Sequence, residues 1–139
     1  MRTVVADASV AAKWFVPEPD AAAALRLLDG RHRLAAPDLI HAEIGNIVWK
    51  LHSRGVLDKN EASEMVMHFL SMPLDVYDST FLLASALEIA IATRRTVYDS
   101  LYLSLAIELD ASVITADERW VNALAGGPFA RYMSLLRER

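Results

Sequence analysis

The chain contains no cysteine, only five glycines and five prolines, and no hydrophobic run long enough to cross a bilayer. Without cysteine, neither disulfides nor thiolate metal sites can form, and the cytoplasm is the expected location. The most apolar stretch, residues 81–92, is interrupted by Glu88 and falls short of the roughly 20 residues of a transmembrane helix. The amino terminus reaches an acid at Asp7, where a secretion signal would keep its apolar segment. These absences argue against a secreted or membrane-spanning protein.

What is present describes a folded domain, since 54% of the 139 residues are hydrophobic and 23% are charged. At this length a single domain over residues 1–139 is expected, because two smaller pieces would bury poor cores. Acids outnumber lysine and arginine by 18 to 14, so the formal charge is −4. A protein that coats nucleic acid would be basic. Any nucleic-acid contact must therefore be local or assisted by bound cations.

Hydrophobic patterning predicts short strands that alternate with one or two helices. The predicted strands cover residues 3–6, 34–36, 74–77, 112–115 and a last segment near 131–133. The predicted helices cover residues 8–15, 20–28, 37–53, 58–71, 78–92, 96–109 and 117–125. Gly30 is the expected cap of the second helix, and Thr115 with Glu118 has capping-box spacing. The alternation predicts an α/β fold, with a parallel sheet covered by helices on both faces.

Four acidic residues then draw attention, although each also has a structural explanation. Asp7 directly follows the most apolar strand, where it or Ser9 could simply cap the next helix. Glu43 lies at the edge of an apolar helical stripe, which also suits a carboxylate at the rim of the core. Asp99 and Asp117 fall near helix amino ends, which favour acids through the helix dipole.

Together the four acids predict a cation site. In a parallel sheet the ligand site lies beyond the carboxyl ends of the strands, where Asp7 and Asp117 fall. Carboxylates brought together there would repel each other, and hard cations such as Mg²⁺ or Mn²⁺ would relieve that repulsion. The histidines offer no zinc alternative, because they lack ligand spacing: His32, His41, His52 and His68.

Four segments in order carry a family resemblance over nearly the whole chain. They are VVADASVAAKWF at 4–15, APDL at 36–39 followed by Glu43 and Asn46, YDSLYLSLA at 98–106, and ITADER at 114–119. One short motif would mean little, but the ordered set is specific. It resembles the PIN-domain nucleases, and most closely the VapC-like toxins of prokaryotic toxin–antitoxin pairs.

The resemblance implies a PIN-like sheet of about five parallel strands and an Mg²⁺- or Mn²⁺-dependent endoribonuclease. The family's catalytic acids fall on Asp7, Glu43, Asp99 and Asp117, of which Asp7, Asp99 and Asp117 are the expected metal ligands. Its hydroxyl positions fall on Ser9 and Thr115, which would hydrogen-bond the carboxylates or a metal-bound water. It further implies homodimerisation and a VapB-like antitoxin that blocks the site, in a heterotetramer or larger assembly.

Basic residues near the acids are the candidates for gripping RNA phosphates. Arg94 and Arg95 precede Asp99, and Arg119 follows Asp117. Further candidates are more distant in sequence: Arg31, Arg33, Lys50 and Arg54. An exposed Trp14 would indicate an interface for a partner, although most such aromatic residues lie in cores.

Other functions remain open from the sequence. A receiver-like phospho-acceptor domain would need adjacent early acids and a lysine after the last strand, and a phosphatase would need an acid where Ser9 stands. A PIN-like binding module without catalysis would lack one of the four acids, and all are present. A PIN nuclease that processes RNA without a toxin role would normally carry extra domains.

Overall fold

A five-stranded sheet organises the part of the chain that the computed structural model describes, residues 1–137. Its strands are β1 (Arg2–Ala6), β2 (His32–Pro37), β3 (Leu74–Tyr77), β4 (Ser112–Thr115) and β5 (Met133–Leu135). Every pairing is parallel, and the order is β3-β2-β1-β4-β5. The strand order reverses between β1 and β4, and sheets of this kind bind ligands at that switch point.

Helices cover the sheet between the strands. Within the described residues they are α1 (Ala8–Ala11), α2 (Ala21–Arg26), α3 (Leu39–Ser53), α4 (Lys59–Leu70), α5 (Ser79–Thr93), α6 (Val97–Glu108) and α7 (Glu118–Leu124). Helix α6 packs against β1, β2 and β4, while α5 packs on α6 and α4 packs on α3. None of the helices between residues 1 and 137 has the length and apolarity to traverse a bilayer.

The central strand β1 explains why the sheet is enclosed. Val4, Val5 and Ala6 are all buried, although successive strand residues point to opposite faces. Both faces of β1 are therefore covered, as expected for a parallel sheet. The predicted α/β fold with helices on both faces is confirmed, and Asp7 leaves β1 at its carboxyl end.

The ends of several elements differ from the sequence prediction. The first helix is shorter, since α1 passes into a 3₁₀ turn over Ala12–Trp14 before the prolines at 17 and 19. Helix α2 ends at Arg26, so Gly30 does not cap it. Gly30 instead takes a positive φ of 82° in the turn before β2. The last strand falls two residues later than predicted, because a 3₁₀ turn occupies Ala130–Tyr132.

Candidate active site

The four predicted acids line one cavity of about 320 Å³ beyond the carboxyl ends of the central strands. Asp7 follows β1 and Asp117 follows β4, so these two straddle the switch point. Glu43 comes from the first half of α3 and Asp99 from the first turn of α6. Four separate parts of the chain thus bring carboxylates to one place, as the predicted sheet requires.

Asp7 is the most buried of the four acids, at 8% exposed. Its Oδ1 accepts hydrogen bonds from Ser9 Oγ at 2.6 Å and from the Val10 backbone N–H at 3.1 Å. The second bond makes Asp7 the N-cap of α1, so the structural role foreseen from the sequence is real. The carboxylate also lines the cavity, so the cap and the site use the same group.

Two hydroxyls fix the Asp7 carboxylate against the loop that follows β4. Ser9 Oγ donates to Asp7 and accepts from the Ala116 backbone N–H at 3.1 Å. Thr115 Oγ1 donates to Asp7 Oδ2 at 2.6 Å and accepts from the Asp117 backbone N–H at 3.0 Å. Because Thr115 is engaged in this way, the capping box predicted for it does not form, and Asp117 caps α7 instead. Each hydroxyl therefore ties Asp7 to the β4–α7 junction.

Tyr102 is a site residue for which sequence reasoning had no role. Its hydroxyl donates to Glu43 Oε1 at 2.7 Å, which joins α6 to α3. Tyr102 is almost fully buried, and burial followed by the neighbouring Glu43 charge raises its pKa, so it remains a neutral donor. Its position three residues after Asp99 is the only signal in the sequence, because residues three apart share a helix face. The other carboxylate oxygen, Glu43 Oε2, has no hydrogen-bond partner among residues 1–137.

Arg95 pairs with the two remaining acids. Its Nη2 lies 2.9 Å from Asp99 Oδ2 and 3.4 Å from Asp117 Oδ2. The sequence proximity of Arg95 to Asp99 suggested a phosphate contact, whereas the structure directs the guanidinium to the carboxylates. Asp99 Oδ1 has no hydrogen-bond partner among residues 1–137.

Burial dominates the electrostatics of the site. Loss of water raises the pKa of Asp7 above its ordinary value, against the lowering effects of the Ser9 and Thr115 hydrogen bonds. The pKa of Glu43 is raised by burial, with smaller contributions from the charges of Asp7 and Asp99. The pKa of Asp99 is also raised by burial, and Arg95 offsets part of that effect. A cation placed among these groups would favour their ionised forms.

The donor set suits a hard divalent cation. Carboxylate oxygens are the ligands that Mg²⁺ and Mn²⁺ prefer, and no histidine of the described residues lines the cavity. As they stand, however, no three acidic or histidine side chains within residues 1–137 are arranged to hold a metal ion. In this arrangement the Arg95 guanidinium bridges Asp99 and Asp117. By donor chemistry the residues fit the cation, because four carboxylates line the cavity.

The other basic candidates occupy different positions. Lys50 lines the cavity and is exposed, two helical turns after Glu43 on α3. Arg94 and Arg119 are exposed near the acids in sequence but do not line the cavity. Lys13 is buried and binds Glu18 and the Pro19 carbonyl oxygen, so it does not neutralise Asp7.

The tryptophans differ in exposure, with Trp14 in the core and Trp49 on the surface. Trp14 is 8% exposed, and its Nε1 donates to the Ala24 carbonyl oxygen at 3.0 Å, so it is a core residue. Trp49 is 61% exposed and lines an apolar groove between α3 and α4. Among the tryptophans the exposed one is thus Trp49, while Phe15 is half-buried against His68 and Phe69.

Comparison with known proteins assigns the class of this fold and site. The PIN domain family model matches residues 4–125, so the chain belongs to the PIN-domain family. It is 32% identical over 118 residues to Ribonuclease VapC3 of Pyrobaculum aerophilum, an overlap that covers 84% of this chain and 90% of that protein. The resemblance inferred from the sequence is therefore confirmed.

Solved structures agree with this assignment. PAE2754 from Pyrobaculum aerophilum superimposes with a TM-score of 0.70 at 25% identity, over 91% of this chain and 82% of that one. A toxin–antitoxin complex from Klebsiella pneumoniae gives a TM-score of 0.69 at 14% identity, over 98% and 99% of the two chains. The second likeness is one of fold alone.

Proposed function

We propose that the protein is a divalent-metal-dependent endoribonuclease and the toxin of a VapBC-type toxin–antitoxin pair. The observation that carries the proposal is the convergence of Asp7, Glu43, Asp99 and Asp117 in one cavity at the switch point of a PIN fold. Similarity to Ribonuclease VapC3 over most of both chains supports RNA as the substrate. A function on RNA also agrees with a cytoplasmic location.

Three of the acids would be metal ligands, and the fourth has two possible roles. Asp7, Asp99 and Asp117 would hold Mg²⁺ or Mn²⁺, and Glu43 would hold the cation or orient the attacking water. When bound, the cation would lower the pKa of a water molecule and offset charge on the scissile phosphate. The hydroxyls of Ser9 and Thr115 keep the Asp7 carboxylate in one orientation.

Glu43 is suited to handle the proton of the attacking water. Tyr102 occupies Oε1, which leaves Oε2 free to accept a hydrogen bond from water in the cavity. Burial raises the pKa of Glu43 and so makes it a stronger base than an exposed glutamate. No covalent intermediate is needed, because water attacks the phosphorus directly and the displaced RNA oxygen leaves.

RNA contacts are proposed for Lys50, which lines the cavity, and for exposed arginines that are close to the acids in sequence. Lys50 lines the cavity and makes no ion pair within residues 1–137, so its ammonium group is available to a phosphate. Arg94 and Arg119 extend this basic set, since both are exposed. The chain carries a formal charge of −4, so these contacts would act locally.

The proposed protein partners are an antitoxin and a second copy of the chain. The structural likeness to a chain of the Klebsiella pneumoniae toxin–antitoxin complex supports a VapB-like antitoxin. A homodimer is supported by helix α5, whose outer face exposes Leu83, Leu87 and Ile91 at 52%, 51% and 72%. These residues are spaced by four and form one apolar stripe. Pairing of two such stripes would give a heterotetramer or larger assembly with antitoxin.

The test is cleavage of RNA by purified protein in Mg²⁺, Mn²⁺ or EDTA, with Asp7→Asn as the matched variant. We expect wild-type cleavage to require the cation and Asp7→Asn to lose at least about 100-fold in rate, because the ligand charge is removed. Circular dichroism and size exclusion verify that the variant is folded. Full activity in Asp7→Asn would refute the metal mechanism, and a wild type without cleavage at any cation concentration would identify a binding module instead.

A further inference from the structure

The guanidinium of Arg95 lies where two carboxylates of the site would meet a cation. One nitrogen, Nη2, contacts both Asp99 and Asp117, at 2.9 and 3.4 Å. Asp99 belongs to the first turn of α6 and Asp117 precedes α7, so the contact joins two separate elements. Within residues 1–137, no other lysine or arginine is paired with any of the four site acids.

The local backbone directs this side chain into the site. Helix α5 ends at Thr93, its C-cap Arg94 takes the left-handed conformation with φ of 60°, and α6 is capped by Thr96. Arg95 is the single residue between these caps, and the Arg95–Asp99 pair spans one helical turn. Its neighbour Arg94 is exposed, so the turn separates two adjacent arginines into a site residue and a surface residue.

The hydrogen-bonding groups of the Arg95 side chain are incompletely paired. The Nε atom is buried and has no hydrogen-bond partner among residues 1–137, although burial of an unpaired donor is costly. The Asp117 contact is at the long end of the hydrogen-bond range. The side chain is also 25% exposed, so one edge of it already faces solvent. A guanidinium held in this way can leave the carboxylates without disrupting a packed core.

We propose that Arg95 is an internal cation that competes with the divalent metal for Asp99 and Asp117. It bridges the two acids in the metal-free protein and gives up that bridge when the metal binds. The inference rests on the proposed function, since it presumes that these acids hold a cation. Arg95 is therefore a positioning residue, which limits repulsion between the acids in the empty site and weakens cation binding.

The experiment is titration of the purified, RNA-free protein with Mn²⁺ alone, followed by electron paramagnetic resonance or calorimetry. Arg95→Gln removes the charge but keeps a long polar side chain, and Arg94→Gln is the charge-matched control next to it. We expect Arg95→Gln to bind Mn²⁺ more tightly, on the order of tenfold, because a competing positive charge is gone. Arg94→Gln should stay within about twofold of wild type, since its exposed charge is screened.

Thermal unfolding provides a second readout that a merely structural arginine would not give. Arg95→Gln should melt below wild type in EDTA, because Asp99 and Asp117 then repel each other, and saturating Mn²⁺ should remove that deficit. Arg95→Lys, which keeps the charge, should bind Mn²⁺ with an affinity between those of wild type and Arg95→Gln. Arg95→Lys also tests the proposal if Arg95→Gln does not fold.

The possible results separate this inference from the proposed function. Unchanged or weaker Mn²⁺ binding in Arg95→Gln, with normal Asp7-dependent binding in wild type, would overturn the competition alone. If wild type and Asp7→Asn bind Mn²⁺ equally poorly, the proposed metal mechanism fails and the competition fails with it. If both Arg95→Gln and Arg94→Gln bind Mn²⁺ more tightly than wild type, the effect is due to the lower net charge of the protein. That result would also overturn the competition.

Discussion

The hydroxyl of Thr115 offers a direct test of how the site holds Asp7. Thr115 is fully buried, so no water can replace the bond that it donates to Asp7 Oδ2. Thr115→Val keeps the shape of the side chain but removes this charge-assisted bond, which contributes about 1.5–3 kcal/mol. It also leaves the Asp117 backbone N–H without its acceptor, at a cost of about 1 kcal/mol. We expect a loss of about 2–4 kcal/mol in the free energy of unfolding at neutral pH.

The loss should depend on pH, because the missing bond stabilised ionised Asp7. Burial already raises the pKa of Asp7 in the folded protein, and removal of Thr115 Oγ1 raises it further. A carboxyl group with a raised folded-state pKa contributes stability below its unfolded pKa and loses it as the pH rises through the folded pKa. The stability of Thr115→Val should therefore fall more steeply than that of wild type as the pH rises from acidic to neutral.

Urea unfolding in EDTA across this pH range measures the effect. Thr3→Val in β1 is the matched control, since Thr3 makes no side-chain hydrogen bond within residues 1–137 and lies at the other end of the sheet. The control should stay within about 0.5 kcal/mol of wild type at every pH. If Thr115→Val matches Thr3→Val, or its deficit is the same at acidic and neutral pH, the argument for a bonded, ionised Asp7 is wrong.

Three further results are expected. Asp7→Asn should melt a few degrees above wild type in EDTA at neutral pH, and this advantage should shrink at acidic pH, because the raised pKa of Asp7 makes its ionised form destabilising. Tyr102→Phe should lower the rate of RNA cleavage about tenfold and move the acidic limb of its pH profile upward, because loss of the hydroxyl raises the pKa of Glu43 further. Leu87→Glu should convert the proposed dimer to monomers in sedimentation velocity without changing the circular dichroism spectrum, whereas Glu88→Gln on the same helix should leave the oligomeric state unchanged.

The sequence predicted the sheet and the acids because both depend on local patterns. Buried β-branched runs mark β1 and β4, and an acid follows each of them within two residues. Parallel pairing then brings those acids to one edge of the sheet, whatever the details of packing. Glu43 was identified by its place at the rim of an apolar stripe, and the structure places it at a cavity wall.

The contacts among side chains were not predictable in the same way. The Tyr102–Glu43 bond joins residues 59 apart in sequence, and the Thr115–Asp7 bond joins residues 108 apart. Neither pattern nor propensity specifies which of several nearby partners a polar group selects. Thr115 had two possible uses, a capping box with Glu118 or a bond to Asp7, and the buried carboxylate has the greater need of a donor.

Arg95 shows why the chemistry of the proposed cation site cannot be inferred from its acids alone. Its position four residues before Asp99 fits a surface ion pair of little energetic weight. In the folded chain the same arginine also reaches Asp117, next to an Asp7 whose pKa burial has raised. The metal-free site therefore opposes a divalent cation in two ways: burial disfavours the ionised form of Asp7, and the Arg95 guanidinium already occupies Asp99 and Asp117. A divalent cation must overcome both, so cation binding should release protons at acidic pH and be tighter as the pH rises toward neutrality.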